Sequence, residues 1–332
     1  MDLILSTKCN LECKHCFQNS SPSKDAQYPP LDKLSFLCDE LERMNIINLK
    51  ISGGEPLLFP EIEHFLKFLA TKKFQKSILT NALLINDKII HAIKGHNFRF
   101  GISLDGAAKE SHEFLRGRHT FERTLNNILK LKENDIYYSI TTTIYSKNID
   151  EIEDICDLVF NKLNARVLNL NILMSLGRGQ SNYDLSAPLY KIHSLQSKIK
   201  EFSSRFPYKK INFDNSYSLL ESECNIDPIY CAAGTRLLAI NSKLEIYPCT
   251  YDFDRSEFNM GTFGTESLMD IWKKTKWNIF RGAISIKDLK DCSSCKHNRF
   301  CINKNCRLKP LYQGKDFYSL IDHCAKFNGK IA

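Results

Sequence analysis

The stretch Cys9-Asn10-Leu11-Glu12-Cys13-Lys14-His15-Cys16 decides how this chain is read. It follows a short apolar segment, Leu3-Ile4-Leu5, and spaces three cysteines as CxxxCxxC. Three thiolates this close together can hold three corners of a cubane iron–sulfur cluster and leave the fourth iron without a protein ligand. Chemistry can then take place at the open corner. The plainer readings are a zinc site or a set of buried free thiols. Zinc takes four ligands, usually supplied as two CxxC-type pairs, and His15 lies too near its neighbours to serve as the fourth.

Working outward, the 332 residues suffice for one large domain and a smaller one. No run approaches the eighteen consecutive apolar residues of a membrane span, and the N-terminus lacks the pattern of a secretory signal. A cytoplasmic location and no membrane association are expected. The chain has 13 cysteines, and their tight clustering argues for metal ligation in a reducing compartment rather than for disulfides. The net charge of +8 is uneven: residues 273–332 hold 14 lysines and arginines against 4 acidic residues, which leaves −2 for the first 272. That tail also carries five cysteines, so its cations have an anionic thiolate cluster to offset. No aromatic-stacking pattern accompanies the charge, and no nucleic-acid partner is expected.

Helical and strand signals alternate through the first half with a repeat of about 30 residues, the mark of β/α units and a parallel sheet. Helical spacing places Leu31, Leu34, Leu37, Leu41 and Met44 on one helix, with Pro30 as its natural start, and Ile62, Phe65, Leu66 and Leu69 on a second. Leu125, Ile128 and Leu129 mark a third, and the stripe Ile152, Ile155, Cys156, Val159, Phe160 and Leu163 a fourth. Between them, residues 48–52, 77–80, 98–103, 140–144 and 167–170 read as strands. With the first strand at 3–5, this makes six units. Barrel enzymes of this kind carry their sites at the C-terminal ends of the strands. Gly53-Gly54-Glu55-Pro56 directly follows the second strand. Its glycines permit close backbone approach to a ligand, and its carbonyls and Glu55 are acceptors for an ammonium group. Asn81 ends the third strand and Ser103-Leu104-Asp105-Gly106 the fourth. Thr142 or Thr143 could face the site from the fifth, and Arg116 either clamps a carboxylate or lies on the surface.

The three-cysteine spacing, with GGEP about forty residues later, resembles the radical S-adenosylmethionine (radical SAM) superfamily. That resemblance implies a partial (β/α)6 barrel. It also implies that the open iron chelates SAM and reduces it to a 5′-deoxyadenosyl radical, which takes hydrogen from a substrate. By resemblance, His15 lies against the adenine and the Gly53–Pro56 motif meets the SAM amino group. Ser103 and Asp105 meet the ribose or carboxylate, and Asn81 braces the pocket.

Residues 175–224 break the β/α rhythm. Gly177-Arg178-Gly179 starts a loop, a helix carries Leu189, Ile192, Leu195, Ile199 and Phe202, and a polar connection passes through Pro207 and Asn215. The segment reads as a bridge that packs between a first domain at 1–174 and a second at 225–332. In the second, the cysteines return as Cys231, Cys249, Cys292-x2-Cys295-x5-Cys301-x4-Cys306 and Cys324. A hairpin of 237–240 and 244–247 leads to Cys249. A short helix from Thr265 at the cap to Trp272 turns Leu268, Met269 and Trp272 inward. This half resembles the cysteine-rich α+β SPASM domain, whose two auxiliary iron–sulfur clusters would bring the total to three [4Fe-4S] clusters. Carried over by resemblance, Cys231, Cys249 and Cys306 hold the first, with Cys224 as a candidate fourth ligand, and Cys292, Cys295, Cys301 and Cys324 hold the second. Two departures stand out: Leu244 occupies the usual glycine position of the hairpin turn, and four residues rather than three separate Cys301 from Cys306. Cys38 and Cys156 read as core residues.

The resemblance implies an enzyme that modifies a ribosomally made precursor peptide by crosslinking, thioether formation or epimerisation. It would draw electrons from a flavodoxin or ferredoxin. Since Cys9 lies eight residues from the start, a separate leader-recognition protein, the sheet edge or the bridge is expected to receive the substrate. Its rivals are an anaerobic sulfatase-maturing enzyme that forms formylglycine, a small-molecule dehydrogenase, and a zinc-binding scaffold without catalysis.

Overall fold

Seven strands rich in isoleucine, leucine and phenylalanine lie side by side in chain order, all parallel: β1 (Asp2–Ile4), β2 (Asn48–Ser52), β3 (Gln75–Thr80), β4 (Phe98–Ser103), β5 (Tyr137–Ile144), β6 (Val167–Ile172) and β7 (Lys210–Phe213). The computed structural model describes residues 1–213, 232–251, 253, 255–282, 284–295, 306, 308–312 and 314–319. In-register neighbours on adjacent strands share a face, and one row, Leu3, Ile51, Ile78, Phe100 and Tyr138, is buried across five strands. Strict in–out alternation along β5 shows how the period of two divides core from the other face. Since β1 and β7 do not pair, the sheet stays open as a partial barrel.

The crossovers are helical, as parallel strands require. They comprise α1 (Leu31–Arg43), α2 (Ile62–Ala70), α3 (Asp87–Ile93), α4 (Lys109–Arg116), α5 (Phe121–Glu133) and α6 (Ile152–Asp157), which continues into a π-helical turn, Leu158–Lys162. α1 buries the expected stripe of Leu34, Leu37, Cys38 and Leu41, and Cys156 is buried on α6. Periodicity did not announce α3 or α4. The first has only seven residues, held at its start by Asn86, whose Oδ1 accepts from the Ile89 amide at 3.0 Å. The second hides a short buried face, Ser111, His112 and Leu115, among four charged neighbours.

The expected bridge is corrected by the structure. After β6 come α7 (Arg178–Ser181), α8 (Leu189–Arg205) and then β7, which pairs with β6 through Leu168 and Ile211. What reads as a polar connection is therefore an edge strand, whose short Lys-Ile-Asn-Phe alternation carries too few apolar residues to stand out. Internal contacts divide the chain into Met1–Asp214 with Ile240–Leu244, and Asn215–Ala239 with Glu245–Ala332. The first unit thus continues past the expected boundary at 174, and the described part of 175–224 belongs to it.

Strands β8 (Ala239–Ile240) and β9 (Glu245–Tyr247) fall where the hairpin was expected. Leu244 adopts φ 62°, the left-handed backbone a glycine would supply. This costs roughly 1–2 kcal/mol. Asn241 supports the turn, accepting from the Leu244 amide through its carbonyl and from the Lys243 amide through Oδ1, both at 2.9 Å, and the leucine side chain is buried. In the second unit β9 pairs antiparallel with β10 (Gly261–Thr262), and α9 (Leu268–Lys273) follows. Its cap is Ser267, whose Oγ accepts from the Asp270 amide at 3.1 Å, not Thr265. Leu268 and Ile271 turn inward, while Met269 is exposed. Among the described residues the remaining α-helices are α10 (Lys290–Ser293) and α11 (Leu308–Tyr312).

Phe100 lies within the buried row, between Ile78 and Tyr138, and is fully enclosed. Phe100→Ala is expected to destabilise the first unit by ~3–5 kcal/mol, seen as a lower urea midpoint for its unfolding transition.

Candidate active site at the strand ends

Between β1 and α1 the chain runs for 26 residues without a helix or an extended strand, and the three cysteines lie on this loop. Its path is set by the turn after β2. The Gly54 amide donates to the Ser6 carbonyl at 2.8 Å and the Glu55 amide to the Lys8 carbonyl at 2.9 Å. Gly53 has φ +136°, and a Cβ there would lie 2.4 Å from the Ser6 oxygen; one at Gly54 would lie 2.1 Å from the Lys8 oxygen. The glycines therefore permit close approach of the cysteine loop's own backbone, a role the sequence reading gave only to a ligand. Within the loop the Leu11 amide points at Cys9 Sγ and the Ser20 amide at Cys16 Sγ, each at 3.4 Å.

These elements enclose a cavity of about 200 Å³. Cys9, Cys13, Cys16 and His15 line it from the loop, Gly53 and Gly54 from the β2 turn, Asn81 and Ser103 from the ends of β3 and β4, and Arg116 and Arg178 from α4 and α7. Two guanidiniums and no carboxylate stand in this wall, so the cavity suits a ligand with negative charge. Burial pushes the Cys9 thiol up to about 12 despite the Leu11 amide, and burial raises Cys13 as well. Such thiols ionise when a metal supplies positive charge. Burial also lowers His15 to about 4, so its ring is neutral near pH 7. His15 Nδ1, Gln18 Oε1 and Ser20 Oγ are buried without a hydrogen-bond partner, all on this loop.

Two carboxylates stand behind the wall. Glu55 is 2% exposed: its Oε1 accepts from the Leu57 amide at 3.1 Å and from Thr80 Oγ1 at 2.8 Å, and its Oε2 from the Asn81 amide at 2.9 Å. Burial raises its pKa to about 7 against those three donors. Asp105 is fully buried and takes the Thr143 amide at 2.7 Å and Arg116 Nε at 2.5 Å. Burial would raise its carboxyl, but Arg116, with His15 and His112, outweighs that and holds it below the usual range. His15 Nε2 lies 3.6 Å from Asp105 and 3.4 Å from an Arg116 terminal nitrogen.

Five of the eight residues expected at the cofactor, His15, Gly53, Gly54, Asn81 and Ser103, therefore line one cavity together with the three cysteines. Glu55, Pro56 and Asp105 do not. The two carboxylates act as internal braces, because their oxygens are taken by backbone and side-chain donors. Asn81 does brace the loop, its Nδ2 donating to Asn10 Oδ1 at 2.8 Å. Arg116 is a cavity residue oriented by Asp105, and Thr142 turns away to donate to the Leu104 carbonyl. Ser20 and Arg178 went unseen; the glycines flanking Arg178 were their one sequence signal. Of the second set of cysteines, Cys249 is buried and Cys292, Cys295 and Cys306 are half-buried. Cys224, Cys231, Cys301 and Cys324 lie outside the described residues.

The sequence matches the radical SAM superfamily over residues 3–159 and the SPASM iron–sulfur cluster-binding domain over residues 231–296. The chain belongs to the radical SAM superfamily. This radical SAM chain is 25% identical to the AdoMet-dependent heme synthase of Methanosarcina barkeri over 98% of its length and 96% of the relative's. It is 26% identical to AlbA, the antilisterial bacteriocin subtilosin biosynthesis protein of Bacillus subtilis, over 94% of this chain and 67% of AlbA. Its fold matches Streptococcus suis SuiB bound to precursor peptide SuiA with a TM-score of 0.80 at 16% identity, covering 97% of this chain and 75% of SuiB. The residues present fit the groups this family implies. Cys9, Cys13 and Cys16 line one cavity and offer three thiolates to an iron–sulfur cluster. The carboxylate-free wall and the orphaned polar atoms of its residues His15 and Ser20 suit a polar, partly anionic ligand beside it.

Gly54→Ala places a methyl group inside the Lys8 carbonyl contact and must push the cysteine loop outward. Anaerobic reconstitution of that variant is expected to recover less iron than the parent chain by about one cluster's worth, read by iron and sulfide assay, while circular dichroism stays unchanged.

Proposed function

We propose that this chain is a radical SAM/SPASM maturase that modifies a ribosomally made precursor peptide by crosslinking, thioether formation or epimerisation. The observation that carries the reading is the single cavity shared by Cys9, Cys13, Cys16, the Gly53-Gly54 turn, Ser103 and two arginines. Kinship with a bacteriocin biosynthesis protein over 94% of the chain supports the substrate class. When bound, the cluster and SAM supply a 5′-deoxyadenosyl radical that takes hydrogen from the substrate. The chain's residues bind and orient. Arg116, held by Asp105, offers a fixed guanidinium to a carboxylate. Neutral His15 would offer a flat ring to the adenine, and the Ser52–Gly54 backbone would receive the amino group. The apolar side chains of Leu11 and Leu79 line the cavity and help keep water from it. We assign the two auxiliary [4Fe-4S] clusters to Cys231, Cys249 and Cys306, and to Cys292, Cys295, Cys301 and Cys324. Electrons come from a flavodoxin or ferredoxin, a separate leader-recognition protein assists, and the enzyme works in the cytoplasm. Among the described residues no helix is long and apolar enough to cross a membrane.

One observation favours a second reading. The heme synthase relative matches almost end to end, at 98% and 96% of the two chains, which points to a tetrapyrrole substrate. Mass spectrometry after anaerobic turnover separates the readings. With SAM, dithionite and a short peptide encoded beside the gene, the maturase yields 5′-deoxyadenosine and a peptide that has lost two hydrogens or changed its stereochemistry. Conversion of a tetrapyrrole with the peptide untouched, or formylglycine in a sulfatase motif, overturns the proposal. Cys13→Ala is expected to abolish deoxyadenosine formation and to leave part of the broad absorption near ~400 nm, carried by the auxiliary clusters. Full cleavage of SAM by that variant would remove the basis of the reading.

A further inference from the structure

The turn that follows β6 makes contacts that its place in the chain does not suggest. Arg178 Nε donates to the Cys13 carbonyl at 2.8 Å, its terminal nitrogen to the Ser20 carbonyl at 2.6 Å, and its amide to the Cys16 carbonyl at 3.0 Å. Asn182 Nδ2, one helical turn on, donates to the Lys14 carbonyl at 3.1 Å. Four carbonyls of the cysteine loop are thus satisfied by one short segment some 160 residues away. The flanking glycines are what permit this. A Cβ at Gly177, whose φ is +53°, would lie 2.5 Å from both the Cys16 and Phe17 oxygens, and one at Gly179 would lie 2.2 Å from the Met174 oxygen. The same guanidinium also faces the cavity.

We propose that Arg178 is a positioning residue for the metal centre: it holds the loop between Cys13 and Ser20 in the shape that receives a cluster, and its fixed charge favours the reduced form of that cluster. The loop needs such a holder. It spans 26 residues without an element of its own, and ordering it opposes about 1–2 kcal/mol of backbone entropy per residue. Its internal backbone-to-backbone bonds are few: Cys16 to Cys13 at 3.2 Å, Asn19 to Cys16 at 3.3 Å, Cys9 to Ser21 at 3.2 Å and Lys24 to Ser21 at 3.4 Å. The three orphaned polar atoms, His15 Nδ1, Gln18 Oε1 and Ser20 Oγ, lie on the span that Arg178 closes, and His15 and Ser20 line the cavity itself. A guanidinium suits the task because its planar fork reaches two carbonyls at once and stays charged at every working pH. Reduction adds negative charge to an already anionic cluster, which a nearby fixed cation stabilises.

The inference rests on the family assignment and is independent of which substrate is modified, since its test adds no substrate. Iron belonging to this centre is defined as the difference between the parent chain and a Cys9→Ala/Cys13→Ala/Cys16→Ala variant. Arg178→Met, which keeps the length of the side chain without its donors or charge, is expected to lose that iron to a chelator about tenfold faster. What iron remains is expected to show a more negative midpoint potential in an EPR-monitored titration. Arg178→Lys keeps the charge and is expected to restore the potential more fully than the retention of iron. Gly177→Ala is expected to weaken retention with the arginine intact. As a control, Arg205→Met, at an exposed pair with Glu153, leaves both readouts unchanged. An Arg178→Met protein with parental iron release and an unshifted potential overturns the proposal. Loss of iron with no shift in potential overturns the electrostatic half and leaves a mechanical clamp.

Discussion

The site depends on backbone pressed against backbone. The turn after β2 meets the start of the cysteine loop closely enough that neither Gly53 nor Gly54 can carry a Cβ, and two amide-to-carbonyl bonds fasten the contact. That contact converts the parallel order of β1 and β2 into a statement about where Cys9 lies. A long loop with few internal bonds would otherwise sample many shapes, each with a different disposition of thiols. The turn after β6 holds the same loop further along, and Asn81 and the Leu115 carbonyl fasten it in between, so its conformation is imposed from several strand ends and from α4.

Charge in the site is arranged in two layers. The inner wall presents Arg116 and Arg178, and the carboxylates that keep the local charge in balance stand one layer back. Asp105 pairs with Arg116 and is fully enclosed, and Glu55 ties the β2 turn to the end of β3 through Thr80 and Asn81. A buried carboxylate is tolerated where donors satisfy its oxygens, and both residues meet that condition. The consequence is a cavity whose exposed groups favour anions while the surrounding protein remains polar and tightly bonded. Asn81 joins the two arrangements by touching the cysteine loop at Asn10 and the Glu55 brace through its amide.

Much of this was legible in the residues. The strand at 98–103 and the stripe of α1 follow from period-two and period-3.6 patterns that no neighbour overrides. The cysteines were recognisable by their spacing, and GGEP, Asn81 and Ser103 because each lies at or next to a strand end. Glu55 and Asp105 stand behind the cavity wall, with their oxygens accepting from backbone and side-chain donors. A motif shows which residue types are present and is silent on whether a carboxylate faces a ligand or three amides. β7 was read as a connection because an edge strand needs few apolar residues.

By itself the sequence determined the parallel β/α order, the buried stripes and the three thiols available at the end of the first strand, since these depend on local periodicity and spacing. The tertiary structure alone decided that Arg116 and Arg178 share a wall with those thiols, that Glu55 and Asp105 stand behind it, and that Gly177-Arg178-Gly179 serves the loop rather than a bridge. Those outcomes depend on which strand ends become neighbours in the sheet, and contacts across some 160 residues leave no periodic trace in the chain.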